Sequence, residues 1–342
     1  MKILIVQTSF LGDTILSTPV IKAVKGLFPD ASLTVMTTPL AAGLLASDPL
    51  IDAIIPFDKR RAEKGVTGLL IKAREIRRMG FDRVYSLHRS PRTSLLLFLA
   101  RIPVRIGFSD ARLSFLYTGT AVRSRGVHAV TSNLSLVTKD MKPGTIDDDM
   151  RLFPPPAARV NPEVLRKLPA AGTYAVLAPG SAWKTKQWHP EGYAAVAGAL
   201  GREGVPVVLI GAGDETRVCR QIRDQVPEVV DLSGRVSLTD TLYVMANCCL
   251  ALCNDSMALH MASALKRPTV AVFCATSPAF GFGPWKNSKA VVAEAQGLDC
   301  KPCRRHGSQA CPSGTELCMH LSHDIVFNAC LTVLDRQERE GS

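Results

Sequence analysis

An aspartate near the start of the chain has the chemistry of a proton acceptor. In the opening segment MKILIVQTSFLGDTILSTP, the apolar run from Ile3 to Val6 predicts a strand, and Asp13 falls at the N-cap or in the first turn of the predicted helix that follows. A carboxylate in that position caps a helix by accepting from free backbone amides. At the carboxyl end of a central strand it can also take a proton from a bound hydroxyl group. The segment alone favours capping and leaves the second role open.

A second stretch, APGSAWKTKQWHPEGYAAV, has residue types that bind anions. A predicted strand ends at Gly180, and the loop after it contains Ser181, Lys184 and Lys186. Backbone amides, hydroxyl groups and lysines at such a turn form a binding site for phosphate groups. Either lysine could equally be a solvated surface residue.

A third stretch, LALCNDSMALHMASALKRPTVAVF, combines a strand end, a hydroxyl group and an imidazole. Asn254, Asp255 and Ser256 end a predicted buried strand and can cap the next helix. His260 lies four residues after Ser256, so both side chains share one helix face near its start. This arrangement would suit a diphosphate group. His260 could equally be a hydrogen-bonded core residue, and its spacing does not decide between the two roles.

These motifs follow predicted strands in two successive α/β series. The first half alternates the helical segments TILSTPVIKAVKGLF and GLLIKAREIRRMG with the strand-like segments KILIVQ, SLTVMTT, AIIPF, RVYSL and VRIGF. The second half alternates the helical segments EGYAAVAGALGREG and MALHMASALK with the strand-like segments TYAVLAPGS, PVVLIGAG, LALCNDS and PTVAVFCAT. Strands that alternate with helices predict parallel βαβ units.

An acidic and proline-rich break divides the two series. Asp147–Asp149 and Pro154–Pro156 are poor material for the interior of a helix or strand. We therefore expect a first domain over residues 1–155 and a second over 170–325. A last helix over 326–342 could pack back on the first domain. The carboxyl ends of the strands in such folds border a ligand-binding cleft.

Charge is distributed unevenly along the 342 residues. Residues 1–150 contain 21 Lys and Arg against 13 Asp and Glu, whereas the remainder contains 20 against 17. An anionic partner for the first half is expected, such as nucleic acid, a phosphorylated small molecule or an acidic membrane, unless the surface is simply solvated. The composition is that of a soluble globular protein, and we expect neither a membrane span nor a signal peptide.

All ten cysteines lie after residue 218. Without a secretion signal, a disulfide framework is not expected. Apolar surroundings predict reduced core residues at Cys219, Cys248, Cys249, Cys253 and Cys274, whereas Cys300, Cys303, Cys311, Cys318 and Cys330 fall in a polar C-terminal segment. The first four of that segment could bind a structural zinc ion, and an iron–sulfur cluster fits less well without a redox role. They could also be reduced thiols in a surface loop.

Taken together, the motifs resemble glycosyltransferase family 9, the lipopolysaccharide heptosyltransferases, and most strongly the heptosyltransferase II members. The resemblance rests on the first-turn G-D, the PGS…K…W…P loop, the GAGDE stretch and N-D-S-x-x-x-H, in family order over nearly the whole chain. A G-x-G-x-x-G fingerprint is missing after the first strand, which argues against a nicotinamide dehydrogenase. The resemblance implies an α/β GT-B fold, with two Rossmann-like domains and an interdomain cleft.

The resemblance also implies roles for individual residues. Asp13 matches the general base of the family. Binding of the nucleotide-sugar donor is implied for Ser181, Lys186, Glu215, Asp255, Ser256 and His260. Binding of an anionic acceptor is implied for Lys59, Arg60, Arg61, Arg89, Arg92 and Arg112, since arginine forks suit sugar acids and phosphates.

The implied reaction is a single inverting transfer of a heptose from ADP-heptose to the inner core of lipopolysaccharide, without a metal ion or other cofactor. The implied location is cytoplasmic and peripheral to the inner membrane, and no nucleic acid partner is expected. The segment GLLIKAREIRRMG could help in binding the membrane, although core packing explains it equally well. Three alternatives remain: a non-catalytic protein that binds nucleotide sugars or acidic glycolipids, a transferase with another donor or acceptor, and a nucleotide-sugar epimerase.

Overall fold

The computed structural model describes residues 1–59, 61, 63–138 and 147–341. Its contacts divide the chain into two compact units, Met1–Phe153 and Pro154–Ser342. Each unit contains a parallel six-stranded sheet with helices, which confirms the predicted α/β class.

The first unit has the strand order β3-β2-β1-β4-β5-β6. The strands are β1 (Lys2–Gln7), β2 (Ser32–Thr37), β3 (Ala53–Pro56), β4 (Arg83–Ser86), β5 (Val104–Phe108) and β6 (Gly119–Ala121). The described helices are α1 (Leu11–Leu16), α2 (Thr18–Leu27), α3 (Pro39–Leu45), α4 (Gly65–Met79), α5 (Pro91–Leu99) and α6 (Ala129–Leu134). This order is the one found in dinucleotide-binding Rossmann sheets.

The second unit repeats the pattern with the order β12-β11-β10-β7-β8-β9. The strands are β7 (Ala175–Ala178), β8 (Val207–Leu209), β9 (Val230–Asp231), β10 (Leu250–Asn254), β11 (Thr269–Phe273) and β12 (Ala290–Glu294). The helices are α7 (Pro162–Lys167), α8 (Pro190–Arg202), α9 (Thr216–Gln225), α10 (Leu238–Ala246), α11 (Met257–Ala264) and α12 (His323–Gly341). Short 3₁₀ turns cover Lys184–Lys186 and Gly213–Glu215.

The central strands form because their apolar runs are buried on both faces. Ile3, Leu4, Ile5 and Val6 of β1 are at most 1% exposed, and β1 pairs in parallel with β2 and with β4. Helices cover both faces of such a sheet, so its strands read as continuous apolar segments. This explains why the sequence predicts the central strands well.

The sequence patterns do not predict β6, β9 or β12. All three are edge strands of their sheets, and β9 has only two residues. An edge strand is covered on fewer sides, so it lacks the long apolar run that marks a central strand.

The first predicted helix is divided in two. α1 ends at Leu16 and α2 begins at Thr18, with Pro19 near its start. Pro19 has no amide hydrogen to continue the first helix. The hydroxyl groups of Ser17 and Thr18 instead donate to the carbonyl oxygens of Thr14 and Ile15, both at 2.8 Å.

The C-terminal helix α12 packs on the second unit. Val326, Cys330 and Val333 are at most 2% exposed and belong to the core formed by β10, β11 and α8. The sequence left open whether this helix packs on the first unit. In the structure, the buried face of α12 contacts the second unit. Cys330 is therefore a core residue, although its segment is polar.

The five cysteines predicted in the core are all buried. Each of the ten cysteines is a free thiol. Among the described residues, no helix is long and apolar enough to cross a bilayer.

Candidate active site

Open parallel α/β sheets bind ligands beyond the carboxyl ends of their strands, at the position where the strand order reverses. In the first unit this point lies between β1 and β4. Asp13 follows β1 and lies half-buried in the first turn of α1, in accordance with the sequence prediction. The N-cap of α1 is Phe10, whose side chain has no acceptor.

A cluster of polar side chains lies at the same edge of the first sheet. Lys59 follows β3, and its Nζ donates to the carbonyl oxygen of Thr8 at 2.6 Å. The same Nζ lies 3.4 Å from Nε2 of His88, which follows β4. An ammonium group only donates, so Nε2 accepts and the neutral ring carries its hydrogen on Nδ1. That Nδ1 lies 2.7 Å from the Thr93 hydroxyl.

His88 is a site residue that the sequence analysis missed. Burial lowers the pKa of His88 to about 4, and the positive charges of Lys59 and Arg89 act in the same direction. The ring is therefore neutral at pH 7. A histidine directly after a central strand, in RVYSLHRS, is the sequence signal that could have identified it.

Among the predicted acceptor residues, Lys59, Arg89 and Arg92 make side-chain contacts with different partners. Arg89 forms an ion pair with Asp110 at 2.8 Å. Arg92, in the first turn of α5, donates to the carbonyl oxygen of Glu63 in the loop before α4. Arg61 and Arg112 are exposed in the loops after β3 and β5. Arg60 lies outside the described residues.

In the second unit, Lys186 and Asp255 form a buried ion pair. Nζ of Lys186 lies 2.7 Å from Oδ2 of Asp255, and their side chains are 11% and 3% exposed. The same carboxylate oxygen accepts from the hydroxyl of Thr276 at 2.7 Å. Lys184, by contrast, is exposed. The structure thus separates the two lysines that the loop sequence left equivalent.

Asn254 fixes the loop that carries Lys186. Its side-chain oxygen accepts from the amide of Trp188 at 3.0 Å, and its side-chain nitrogen donates to the carbonyl oxygen of Pro179 at 2.7 Å. The sequence predicted a capping role for the Asn254–Ser256 segment. Ser256 is indeed the N-cap residue of α11, but its side chain makes no capping hydrogen bond. The hydroxyl of Ser256 is therefore not committed to the helix.

Glu215 packs directly on Gly180. A Cβ atom built at Gly180 would lie 2.0 Å from Cδ of Glu215, so only glycine fits this position with the carboxylate in place. Oε2 of Glu215 accepts from the amide of Ala212 at 2.8 Å. Burial raises the pKa of Glu215, and the bond from Ala212 opposes this rise. Ser181, the next residue after Gly180, is also buried.

The predicted donor residues therefore meet at the carboxyl edge of the second sheet, after β7, β8 and β10. The Lys186–Asp255 pair and the Gly180–Glu215 contact are direct. Ser256 lies at the start of α11, where the positive end of the helix favours an anion. His260 is buried one turn further into this helix. The arrangement can hold a diphosphate beside a fixed ammonium group.

The cysteine segment is attached to the loop that carries Lys186. The amide of Ser308 donates to the Thr185 hydroxyl at 2.8 Å, and the amide of Thr185 donates to the Ser308 carbonyl oxygen at 3.1 Å. Burial raises the pKa of Cys318 to about 11, and the thiols of Cys303, Cys311 and Cys300 contribute to the rise. Among the described residues, no three of these sulfur atoms all lie within 4.8 Å of one another, so zinc binding stays a prediction.

A second set of metal-binding side chains lies nearby. One ligand atom each from His189, Glu316 and His320 lies within 4.8 Å of the others. The two imidazole rings are stacked, with centroids 3.8 Å apart and planes 20° apart. The nitrogen lone pairs of stacked rings point in nearly parallel planes, so they do not converge on one ion. This trio is not a metal site in its present geometry.

Comparison with known proteins places these residues in a family. The model of glycosyltransferase family 9 (heptosyltransferase) matches residues 71–312. The chain belongs to glycosyltransferase family 9. It is 26% identical to lipopolysaccharide heptosyltransferase 3 of Escherichia coli over 292 residues, which cover 82% of this chain and 85% of that protein.

Other heptosyltransferases have a similar degree of identity to the chain. Lipooligosaccharide heptosyltransferase 2 of Haemophilus influenzae is 27% identical over 301 residues, with 82% of this chain and 85% of that protein covered. The structure of Escherichia coli ADP-heptose lps heptosyltransferase II has a TM-score of 0.79 at 21% identity, with 99% and 100% of the two chains covered. The fold predicted from the resemblance, GT-B, is confirmed, and the protein is a glycosyltransferase.

Proposed function

We propose that this family 9 glycosyltransferase transfers a heptose from ADP-heptose to the inner core of lipopolysaccharide, as a heptosyltransferase II-like enzyme. The observation that carries the proposal is the buried Lys186–Asp255 pair beside the start of α11. It provides a fixed ammonium donor and a helix N-terminus for a diphosphate at the ligand-binding edge of the second sheet. Similarity to Escherichia coli ADP-heptose lps heptosyltransferase II supports the choice of donor.

In the proposed reaction, an acceptor hydroxyl oxygen attacks the anomeric carbon of the donor. The Asp13 carboxylate takes the hydroxyl proton, and the bond from the anomeric carbon to the diphosphate oxygen breaks. ADP leaves with the bonding electron pair, and its charge is stabilised by Lys186, Ser256 and the amides of α11. One displacement inverts the anomeric configuration, and the step requires no metal ion.

The acceptor side of the proposal rests on the first unit. Lys59 and Arg89 flank the neutral His88 at the carboxyl edge of the sheet, beside the strand that leads to Asp13. Phosphates and sugar acids of an inner core would meet the two cations here, and the neutral His88 ring could accept or donate a hydrogen bond. Since the acceptor is a glycolipid, we place the enzyme at the cytoplasmic face of the inner membrane.

The mechanism can be tested by measuring the rate of heptose transfer by an Asp13→Asn variant. A general base contributes about 10²–10⁴-fold, so the variant should lose that much turnover, measured as ADP release from ADP-heptose with a heptose-deficient inner-core acceptor. Its affinity for ADP should stay unchanged. Asp30→Asn, at an exposed aspartate of the same unit, is the matched control.

Normal turnover by Asp13→Asn would mean that Asp13 is not the general base and only serves the first turn of α1. A wild type that binds ADP but releases none from ADP-heptose with acceptor would favour the non-catalytic alternative. Release without any acceptor would point to another reaction of the sugar nucleotide.

A further inference from the structure

Glu63 closes the loop that carries Lys59. We use the name Lys59 loop for Asp58, Lys59, Arg61, Glu63 and Lys64, which lie between β3 and α4. The amide of Asp58 donates to Oε2 of Glu63 at 2.7 Å, and the amide of Glu63 donates to the carbonyl oxygen of Asp58 at 3.0 Å. These two reciprocal hydrogen bonds join the start and the end of the loop, so the position of Glu63 determines the position of Lys59.

The other carboxylate oxygen of Glu63 is held by Lys72 of α4. Nζ of Lys72 lies 3.1 Å from Oε1 of Glu63, and the two side chains are 8% and 18% exposed. The same Nζ lies 2.8 Å from Oε2 of Glu75, whose side chain is 41% exposed. An ammonium group is costly to bury unless it is paired. The less exposed of its two ion pairs connects the Lys59 loop to the helix.

Two further residues hold the backbone of Glu63. A Cβ atom built at Gly68, in α4, would lie 2.5 Å from the carbonyl carbon of Glu63. Glycine is less favourable than alanine within a helix, so the close approach of the loop accounts for its presence here. Arg92, in the first turn of α5, donates to the carbonyl oxygen of Glu63. Contacts from two helices therefore converge on one residue of the loop.

The loop held in this way places a cation at the carboxyl edge of the first sheet. Nζ of Lys59 donates to the carbonyl oxygen of Thr8 and lies beside Nε2 of His88. Thr8 directly follows β1, the strand that leads to Asp13. Lys72 and Glu63 have no part in the proposed chemistry. A buried ion pair adds little net stability, because desolvation offsets the attraction, but it can fix a single geometry.

We propose that Glu63, Lys72 and Arg92 are positioning residues that hold Lys59 in place for the anionic acceptor. The inference rests on the proposed function, because it takes Lys59 as a residue that binds the acceptor. It also changes the role of Arg92. The family resemblance implies direct binding of the acceptor by this arginine, whereas its contact with Glu63 means that it acts through the Lys59 loop.

The first test measures the KM for the heptose-deficient inner-core acceptor. A hydrogen bond to a charged group is worth a factor of about 10–150, so Lys59→Met should raise the acceptor KM within that range. Glu63→Gln has the same shape and can still accept from the amide of Asp58, so it should raise the acceptor KM less, by about fivefold to tenfold. The kcat at saturating acceptor and the affinity for ADP should not change. An unchanged acceptor KM in either variant would overturn the proposal.

Glu75→Gln is the matched control. It removes the other carboxylate partner of Lys72 and changes the net charge of the protein by the same amount. Because this ion pair is partly exposed, the acceptor KM should stay within about twofold of the wild-type value. The added positive charge alone would attract an anionic acceptor more strongly and lower the KM. An equal rise in Glu63→Gln and Glu75→Gln would overturn the proposal.

Combination with Lys59→Met distinguishes positioning from direct contact. If Glu63 and Arg92 act through Lys59, then Glu63→Gln and Arg92→Met should each raise the acceptor KM in the wild type and cause no further rise in the Lys59→Met background. Additive rises would mean that these residues affect the acceptor independently of Lys59, which would overturn the proposal.

Gly68→Ala moves the loop by steric contact and leaves every charge in place. The new methyl group would displace Glu63, so the acceptor KM should rise about fivefold to tenfold, as in Glu63→Gln. Gly26→Ala, in α2, is the control, because a Cβ atom at Gly26 meets no atom within 4 Å. A Gly68→Ala variant with the acceptor KM of the wild type would contradict the proposal.

Hydrogen exchange at the amides of Asp58 and Glu63 provides a measurement that does not depend on activity. Exchange should be about tenfold faster in Glu63→Gln and Lys72→Met and unchanged in Glu75→Gln. Unchanged exchange in Glu63→Gln would overturn the proposal, and so would faster exchange without a rise in the acceptor KM. If the wild type transfers no heptose, faster exchange in Glu63→Gln would still show that these residues hold the loop, and the proposed function alone would fail.

Discussion

The Lys186–Asp255 pair allows a sharp test of the nucleotide-sugar site proposed for the second unit. Our hypothesis is that Lys186 contacts the donor diphosphate and that Asp255 only orients Lys186. Asp255 is 3% exposed and also accepts from Thr276, so its carboxylate is occupied within the protein. A double-mutant cycle with Lys186→Met and Asp255→Asn distinguishes the two roles, because it isolates the coupling between the side chains.

The structure sets the expected magnitudes. Removal of one partner of a buried ion pair costs about 3–5 kcal/mol. Asp255 keeps its hydrogen bond from Thr276, so we expect Lys186→Met to lower the free energy of unfolding by about 3 kcal/mol. A charge-assisted hydrogen bond to phosphate is worth about 1.5–3 kcal/mol, so the same variant should weaken ADP binding about 10- to 150-fold.

The decisive measurement is ADP binding by calorimetry in all four members of the cycle, with urea unfolding in parallel. If Asp255 acts through Lys186, Asp255→Asn should weaken ADP binding in the wild type and have no further effect in Lys186→Met. Lys184→Met, at an exposed lysine of the same 3₁₀ turn, is the control and should change neither quantity.

Two results would refute this reasoning. Additive losses of ADP affinity in the double variant would mean that Asp255 contacts the donor itself. Unchanged ADP affinity in Lys186→Met, together with a loss of stability, would mean that the pair serves only the fold.

Three further predictions follow from the same structure. The pKa of His88 is about 4 in the folded state, whereas that of an unfolded histidine is near 6.5, so between these pH values only the unfolded state binds a proton at this residue. The free energy of unfolding should therefore fall by on the order of 3 kcal/mol as the pH drops from about 6.5 to 4. Urea unfolding of His88→Gln should show a flatter pH dependence than that of the wild type. Gly180→Ala should displace Glu215 and weaken ADP binding about tenfold with a small effect on stability, whereas Gly201→Ala, which meets no atom within 4 Å, should not weaken binding. The purified wild type should contain zinc, and the Cys303→Ser variant should not. The variant should also bind ADP more weakly, because Ser308 of the cysteine segment would hold Thr185 less firmly. A zinc-free wild type that binds ADP with full affinity would contradict this prediction.

The parts of the fold that the sequence predicts are those governed by local burial. β1 and β10 are continuous apolar runs because helices cover both faces of a central parallel strand. β12 was missed because it is an edge strand, and only Ala293 of its five residues is buried. The break after α1 could have been expected from Pro19 alone.

The site was predictable in outline and not in its pairings. Asp13 and Lys186 follow central strands, and the parallel topology alone places such residues at the ligand-binding edge. The partner of Lys186 is 69 residues away in the sequence, and no local pattern reports that contact. The pKa of His88 likewise depends on burial and then on Lys59, which lies in the loop after β3. Pairing and titration are properties of the folded molecule.

The two sheets share one strand order but use positive charge differently. Lys186 is 11% exposed, faces a carboxylate and is shielded from the solvent ions that screen charges, so its attraction for a diphosphate depends little on salt. Arg89, which is 48% exposed, and the exposed Arg61 and Arg112 lie in water, where salt screens their attraction within about 10 Å. A small donor held in a buried site needs a fixed short-range contact. A large anionic acceptor on a membrane is better attracted by many exposed charges, each individually weak. The excess of basic residues in the first half therefore agrees with the extended, anionic acceptor proposed above.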